Sequence, residues 1–256
     1  MAAIAARTGG GSERAHAGSG AGVTGGRLGE EAGIEHAACV GRQRQHVDEQ
    51  ADALGHAADA QKAADAWQQS ITAESSSDFT TAMQQVISFK NAGGDPYLAS
   101  VRAGWLSYQA KDYEKAVQFY TGAIKYEPRA ITPHLGLTYT YQAMQKPKET
   151  LAAATNGLKL DQYNFALLLI AGELLYNQRD YRKAETYFDR AQHQRPEDPI
   201  ALSWLGWAQI AQGQMKLAAP NFEKLMLINP SGYMVQQGYN ISHGIPPQNL
   251  QASNRR

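Results

Sequence analysis

The sequence has little of several features that mark particular classes of protein. It contains one cysteine, Cys39, so it can form neither an internal disulfide nor a cysteine-ligated zinc site. Its 24 Lys and Arg balance 24 Asp and Glu, whereas proteins that bind nucleic acids show a basic excess or stripe. No apolar run approaches the roughly 18 to 20 residues that a membrane-spanning helix needs. These absences predict no nucleic-acid partner and no membrane span.

The N-terminal part of the chain lacks the side chains that build a core. Every aromatic residue lies at or after Trp67, and every proline lies at or after Pro96. Because burial of large apolar side chains offsets the entropy lost on ordering, we predict that residues 1–62 form a low-complexity, disordered segment. The segment has no apolar core of a secretory signal. The location therefore defaults to the cytoplasm, and a periplasmic or secreted protein stays open if the true start of the chain differs.

A regular repeat runs through the rest of the chain. Four blocks of equal length align without gaps, at 97–130, 131–164, 165–198 and 199–232, and each contains two helical stretches joined by a short turn. Four columns of the alignment stand out. Column 8 holds Gly104, Thr138, Gly172 and Gly206; column 20 holds Ala116, Thr150, Ala184 and Ala218; column 24 holds Tyr120, Ala154, Phe188 and Phe222; column 32 holds Pro128, Gln162, Pro196 and Pro230.

Each column has a physical reason. Small residues at columns 8 and 20 let two helices approach closely, the aromatic ring at column 24 fills the gap to the next block, and proline at column 32 ends the second helix. The second block departs from the pattern in all four columns. We therefore predict that its helices pack less tightly than those of the other blocks.

These columns resemble the tetratricopeptide repeat, a 34-residue helix–turn–helix unit. The resemblance implies an all-α fold, a right-handed α-solenoid of antiparallel helix pairs with about four to five repeats. Residues 63–96 are predicted to form a degenerate helix pair, whose second helix runs near Phe79–Asn91. Residues 233–242 are predicted to form a capping helix, as solenoids need to cover the last exposed face. Residues 243–256 are predicted to form a flexible tail.

The motifs of common catalytic and metal sites are absent or weak. The stretch Gly20–Gly25 matches the spacing of a dinucleotide-binding loop but follows no strand. His36, His46 and His56 are evenly spaced at an interval that places them on no common helix face. The sequence therefore predicts a protein that is not an enzyme and has no cofactor and no metal site.

The resemblance also implies where a ligand binds. In this family the first helix of each repeat lines a concave surface, with contacts chiefly from columns 2, 5, 6, 9, 12 and 13. The basic residues and asparagine that clamp a peptide carboxylate in some members are missing from columns 5 and 9. The implied peptide-binding groove is instead mostly aromatic and polar, and its candidate residues are Arg102, Trp105, Tyr108, Tyr139, Gln142, Glu173, Tyr176, Asn177 and Trp207. For Trp204, Ile170 and Leu135 we favour a place in the core.

The favoured function is a non-enzymatic scaffold of a bacterial-type assembly, which binds a peptide or protein segment in this groove. Two alternatives stay open. One is a chaperone for hydrophobic or secreted substrates, and the other is an accessory or carbohydrate-binding module of an enzyme complex, since aromatic grooves also stack sugars. Association into a homo-oligomer stays open as well.

Overall fold

The computed structural model describes residues 57–246, and this part of the chain is built of α-helices without any strand. The helices are α1 (Ala57–Ser75), α2 (Phe79–Asn91), α3 (Pro96–Gln109), α4 (Tyr113–Tyr126), α5 (Thr132–Ala143), α6 (Pro147–Leu160), α7 (Phe165–Asn177), α8 (Tyr181–Gln194), α9 (Pro199–Ala211), α10 (Met215–Ile228) and α11 (Tyr233–Ser242). Consecutive helices pack as pairs. The predicted fold class, an all-α solenoid, is confirmed.

The described residues divide into two compact units, one with α1 to α6 and the other with α7 to α11. In the first unit, α1 pairs with α2, α3 with α4 and α5 with α6. In the second, α7 pairs with α8 and α9 with α10, and α11 packs on α10 and α9. No helix among the described residues is both long enough and apolar enough to cross a membrane.

One predicted boundary differs in the structure, and several predicted features lie outside the described residues. Helix α1 begins at Ala57, so residues 57–62, predicted to be disordered, are helical. Their alanines favour a helix, and Ala63 and Ala66 of the next turns are buried in the first unit. The rest of the predicted disordered segment and most of the predicted tail, residues 247–256, lie outside the described residues, as do the glycine motif, Cys39 and the three spaced histidines.

Aspartates and left-handed turn residues set the ends of the helices. Asp95 accepts hydrogen bonds from the backbone N–H groups at the start of α3, and Asp198 does so at the start of α9. Inside each helix pair, one turn residue at column 15 of the repeat register has a positive φ. These residues are Ser77, Lys111, Gln145, Arg179 and Gly213. The turn therefore has the same backbone geometry in every pair, including the degenerate first one.

The column-24 ring of each regular repeat lies on a glycine of its own first helix. A methyl group on Gly104 would lie 2.9 Å from the Tyr120 ring, and one on Gly136, in the next repeat, would lie less than 3.0 Å from the same ring. Tyr120 is 3% exposed, so its ring fills the space between α3 and α5. In the second unit, Phe222 lies in the same way against Gly206 and against Gly238 of α11. Helix α11 thus packs on α10 as the first helix of a further repeat would.

The small positions of the second block are buried like those of the other blocks, and its looser packing stays a prediction. Thr138 and Ala154 are fully buried, and Thr150 is 1% exposed. The Thr138 hydroxyl donates to the carbonyl of His134 in α5, and the Thr150 hydroxyl donates to the carbonyl of Lys146, the N-cap of α6, each at 2.8 Å. Because each hydroxyl is satisfied by a carbonyl four residues earlier, threonine takes the place of glycine or alanine in a close helix contact.

Candidate peptide-binding surface

Three aromatic rings form a partly exposed surface on α3 and the start of α4, which we call the α3 aromatic surface: Trp105, Tyr108 and Tyr113. Trp105 and Tyr108 lie one turn apart on α3, with ring centroids at 5.9 Å and planes 23° apart. The Tyr108 ring also lies 5.8 Å from that of Tyr113. Burial raises the pKa of the Tyr108 hydroxyl. The helices therefore present three adjacent, partly exposed rings, of which Trp105 and Tyr108 are stacked and Tyr113 is tilted by 53°.

The indole of Trp105 is hydrogen-bonded to a carboxylate of α1. The indole Nε1–H donates to Oε1 of Glu74, and Oε2 of the same carboxylate lies 2.5 Å from Nη1 of Arg102. Both oxygens of Glu74 thus bind groups of α3, which lie one turn apart and share one face of that helix.

Arg102 is a correction to the sequence analysis, which placed it in the groove. It is 1% exposed, its Nε donates to Ser70 Oγ at 3.2 Å, and its guanidinium lies 5.9 Å from the centre of the Trp67 ring. Burial lowers the pKa of Arg102, and the nearby carboxylate of Glu74 opposes this shift. Because burial of an unpaired charge is costly, the guanidinium faces α1 and ties it to α3.

The other groove candidates of the first unit lie on α5, which packs beside α3. Gln142 is partly exposed, whereas Tyr139 is buried. Of the two, Gln142 is the more exposed. Leu135, for which we favoured the core, is buried.

The second unit has a smaller aromatic surface. The Tyr176 ring of α7 is partly exposed and meets the rings of Tyr181 and Trp204 edge to face, at centroid distances of 5.1 and 5.3 Å. Asn177 beside it is exposed, while Glu173, one turn earlier, is buried. Tyr176 and Asn177 are thus the accessible candidates of this unit.

Trp207 is a second correction. It is 7% exposed and packs edge to face on Phe222 at 5.4 Å, within the apolar cluster between α9 and α10. It therefore belongs to the core, in contact with the column-24 ring. Trp204 and Ile170 are also buried, as we favoured, and Trp204 stacks on Phe188 at 5.5 Å.

A polar network also ties helices of the second unit together. The Glu185 carboxylate of α8 accepts from Gln209 at 3.3 Å and from Gln212 at 2.7 Å. The Oε1 of Gln209 in turn accepts from Asn221 of α10 at 3.0 Å. These groups satisfy one another between three helices, and the network is therefore structural. Among the described residues, no group of three His, Cys, Asp or Glu side chains is placed to hold a metal ion.

Glu74 and Ser70 are not among the predicted site residues, although the repeat register contains them. Both belong to the degenerate first pair, for which only the helices were predicted. Extending the register backwards from Gly104 and Tyr108 places Ser70 in column 8, where a small residue is expected, and Glu74 in column 12, a ligand-contact column. The column positions alone could therefore have indicated both residues.

Comparisons with known proteins agree with this fold. Family models described as tetratricopeptide repeats match residues 99–129 and 170–231. No curated protein sequence matches the chain. Among solved structures, a tetratricopeptide repeat protein from Parabacteroides merdae ATCC 43184 has a TM-score of 0.60 at 16% identity, and the match covers 72% of this chain and 75% of that one.

Two further structures have the same fold. The structure of MamA protein has a TM-score of 0.57 at 12% identity, and the match covers 66% of this chain and 92% of the MamA chain. The structure of YrrB is described as that of a TPR protein with an unusual peptide-binding site. It has a TM-score of 0.55 at 15% identity, and the match covers 66% of this chain and 87% of the YrrB chain. This fold serves in general as a scaffold for protein–protein interactions. The repeat columns, the helix pairs and the two family matches together identify the chain as a tetratricopeptide repeat protein.

Proposed function

We propose that the chain is a non-enzymatic scaffold that binds an apolar peptide or protein segment on the α3 aromatic surface and the neighbouring face of α5. The observation that carries this proposal is the partly exposed stack of Trp105 on Tyr108. Rigid aromatic rings give a large contact area at a small cost in side-chain entropy, and they are frequent hot spots of protein interfaces. Two helices hold these rings, so little order has to be gained on binding.

The charges near this surface favour an apolar partner over a charged one. Glu74 is neutralised by Arg102, so this pair presents no net charge to a ligand. Column 5 has no basic residue to clamp a carboxylate, since Val101 and Leu135 occupy it and are buried. Discrimination among partners would therefore rest on shape and apolar contact.

The test is selection of binding peptides from a random peptide library with the full chain, followed by affinity measurement with variants. We expect Trp105→Ala to weaken binding of the selected peptide by about 2 kcal/mol, or roughly 30-fold, the scale of an aromatic hot spot. Tyr126→Ala is the matched control, because Tyr126 is 52% exposed on α4 of the same unit but outside the surface. It should leave the affinity unchanged.

Two results would contradict the proposal. The first is a set of selected peptides that bind the Trp105→Ala variant as tightly as the parent chain. The second is a glycan that binds the full chain and loses its affinity with Trp105→Ala, which would favour the carbohydrate-binding alternative. Circular dichroism of each variant controls for loss of helix.

A further inference from the structure

We propose that the degenerate first helix pair is part of the binding module, because Glu74 of α1 positions Trp105 and Arg102 serves as the counterion of Glu74. This inference rests on the proposed function. It assigns to α1 a role beyond packing on α2, and to Glu74 the role of a positioning residue that acts on a ligand through the Trp105 ring.

The geometry fixes the indole from two sides. The bond from Nε1–H to Glu74 Oε1 sets the direction of the ring edge, and stacking on Tyr108 sets the plane of the ring. A tryptophan side chain has only two rotatable bonds between backbone and ring. Two directional contacts therefore leave the ring a single orientation, which is what preorganisation of a binding surface requires.

The ion pair is needed because Arg102 is buried. Glu74 is 21% exposed at its side chain, and Arg102 is 1% exposed. A buried guanidinium needs an anion beside it, and Oε2 of Glu74 lies 2.5 Å from Nη1 of Arg102. The hydrogen bond from Arg102 to Ser70 and the nearby Trp67 ring hold the guanidinium on the α1 side.

The arrangement also restricts the chemistry of the ligand. The polar edge of Trp105 faces Glu74, so the part of the ring that a ligand meets is its apolar face. A side chain that packs on a ring face, such as that of leucine or proline, fits this surface. Selected peptides should therefore share an apolar anchor rather than a carboxylate.

The test compares two double variants that differ only in whether residue 74 can accept a hydrogen bond. Both carry Arg102→Met, which removes the buried cation; one carries Glu74→Gln and the other Glu74→Met. Glutamine and methionine have nearly the same length, and replacing a buried ion pair by neutral side chains of similar volume is often tolerated. We expect the Gln variant to keep the affinity for the selected peptide within about twofold, and the Met variant to lose about tenfold, the effect of one buried hydrogen bond.

A spectroscopic readout separates positioning from general stability. The indole N–H resonance of Trp105, assigned by its disappearance in Trp105→Phe, should keep its chemical shift and slow hydrogen exchange with Gln at residue 74 and lose both with Met. Equal affinity and equal exchange in the two variants would overturn the proposal. If both variants unfold, exchange of this N–H in the parent chain decides: slow exchange supports the bond to Glu74, and exchange at the rate of free tryptophan refutes it.

The failure of this inference differs from the failure of the proposed function. If Trp105→Ala leaves the peptide affinity intact, the α3 aromatic surface is not the binding site, and the proposed function itself is wrong. If Trp105→Ala abolishes binding while the Met double variant keeps it, the surface binds the peptide and only the positioning role of Glu74 is wrong.

Discussion

Replacing Gly136 by alanine should destabilise the first unit, although alanine is the better helix former. A methyl group on Gly136 would lie less than 3.0 Å from three ring carbons of Tyr120, whereas ordinary contacts begin at 3.4 Å. The ring cannot move away freely, because Tyr120 is buried and Gly104 lies against it from α3. Relief of the contact therefore requires a shift of α5 or of the ring.

The magnitude follows from two opposing effects. Overpacking of a buried site costs about 1 to 3 kcal/mol, and a clash with a confined ring belongs at the upper end. The higher helix propensity of alanine returns about 1 kcal/mol. We therefore expect a net loss of about 2 kcal/mol in the free energy of unfolding.

The matched control is Gly122→Ala on α4 of the same unit. Gly122 also lies inside a helix, but nothing lies within 4 Å of a methyl group placed there. This substitution should stabilise the unit by about 1 kcal/mol through helix propensity alone. Because the propensity effect is common to both variants, the difference between them, about 3 kcal/mol, measures the packing cost.

The assay is urea unfolding of the full chain, followed by circular dichroism. Adding Tyr120→Leu to Gly136→Ala should recover part of the loss, with a favourable coupling energy of about 1 kcal/mol or more, since leucine leaves room for the methyl group. If Gly136→Ala and Gly122→Ala changed the stability equally, the Tyr120 ring would not be confined between α3 and α5, and the packing argument would be refuted.

Three other sets of substitutions probe the core, the second block and the helix caps. Trp207→Ala should lower the free energy of unfolding by about 3 to 5 kcal/mol, as for a buried aromatic residue. A variant as stable as the parent chain would contradict the assignment of Trp207 to the core. Thr150→Leu and Ala184→Leu should each lower the free energy of unfolding in urea by about 1 to 3 kcal/mol, since both side chains are buried. A much smaller loss for Thr150→Leu would indicate that the second block is loosely packed. Hydrogen bonds with Lys115 and Lys183 lower the pKa values of Asp112 and Asp180. These folded pKa values lie below the unfolded value of about 3.9. The two carboxylates therefore stabilise the fold above that pH, and this stabilisation is lost as the pH falls through the folded pKa values. The double change Asp112→Asn and Asp180→Asn should therefore flatten the decline of stability at acid pH, and an unchanged decline would contradict this assignment.

The helix pairs could be predicted from the sequence because their determinants are local and recur at the same columns of each repeat. Glycine or alanine at columns 8 and 20, and an aromatic residue at column 24, describe contacts between neighbouring helices of nearly fixed geometry. Gly172 and Phe188 show this directly, since a methyl group on the glycine would lie 2.5 Å from the ring. The same regularity fails for the second block, where Thr138 and Thr150 bury small polar side chains by bonding to carbonyls four residues earlier.

The candidate surface could be predicted only in part. Column positions placed the candidates on the first helix of each repeat, where Trp105 and Tyr108 are partly exposed, but they did not indicate Tyr113 of α4. The columns did not indicate which candidates a neighbouring helix would cover.

That choice was made by the tertiary structure, through groups distant in the sequence. Arg102 turns toward α1 because Glu74, in the preceding helix pair, offers the carboxylate that a buried guanidinium needs. Trp207 is buried where it packs edge to face with the Phe222 ring of the following helix. The period of the repeat by itself determined the helices and their pairing, whereas the accessible surface depended on desolvation and charge pairing, which are settled only once the helices are packed against one another.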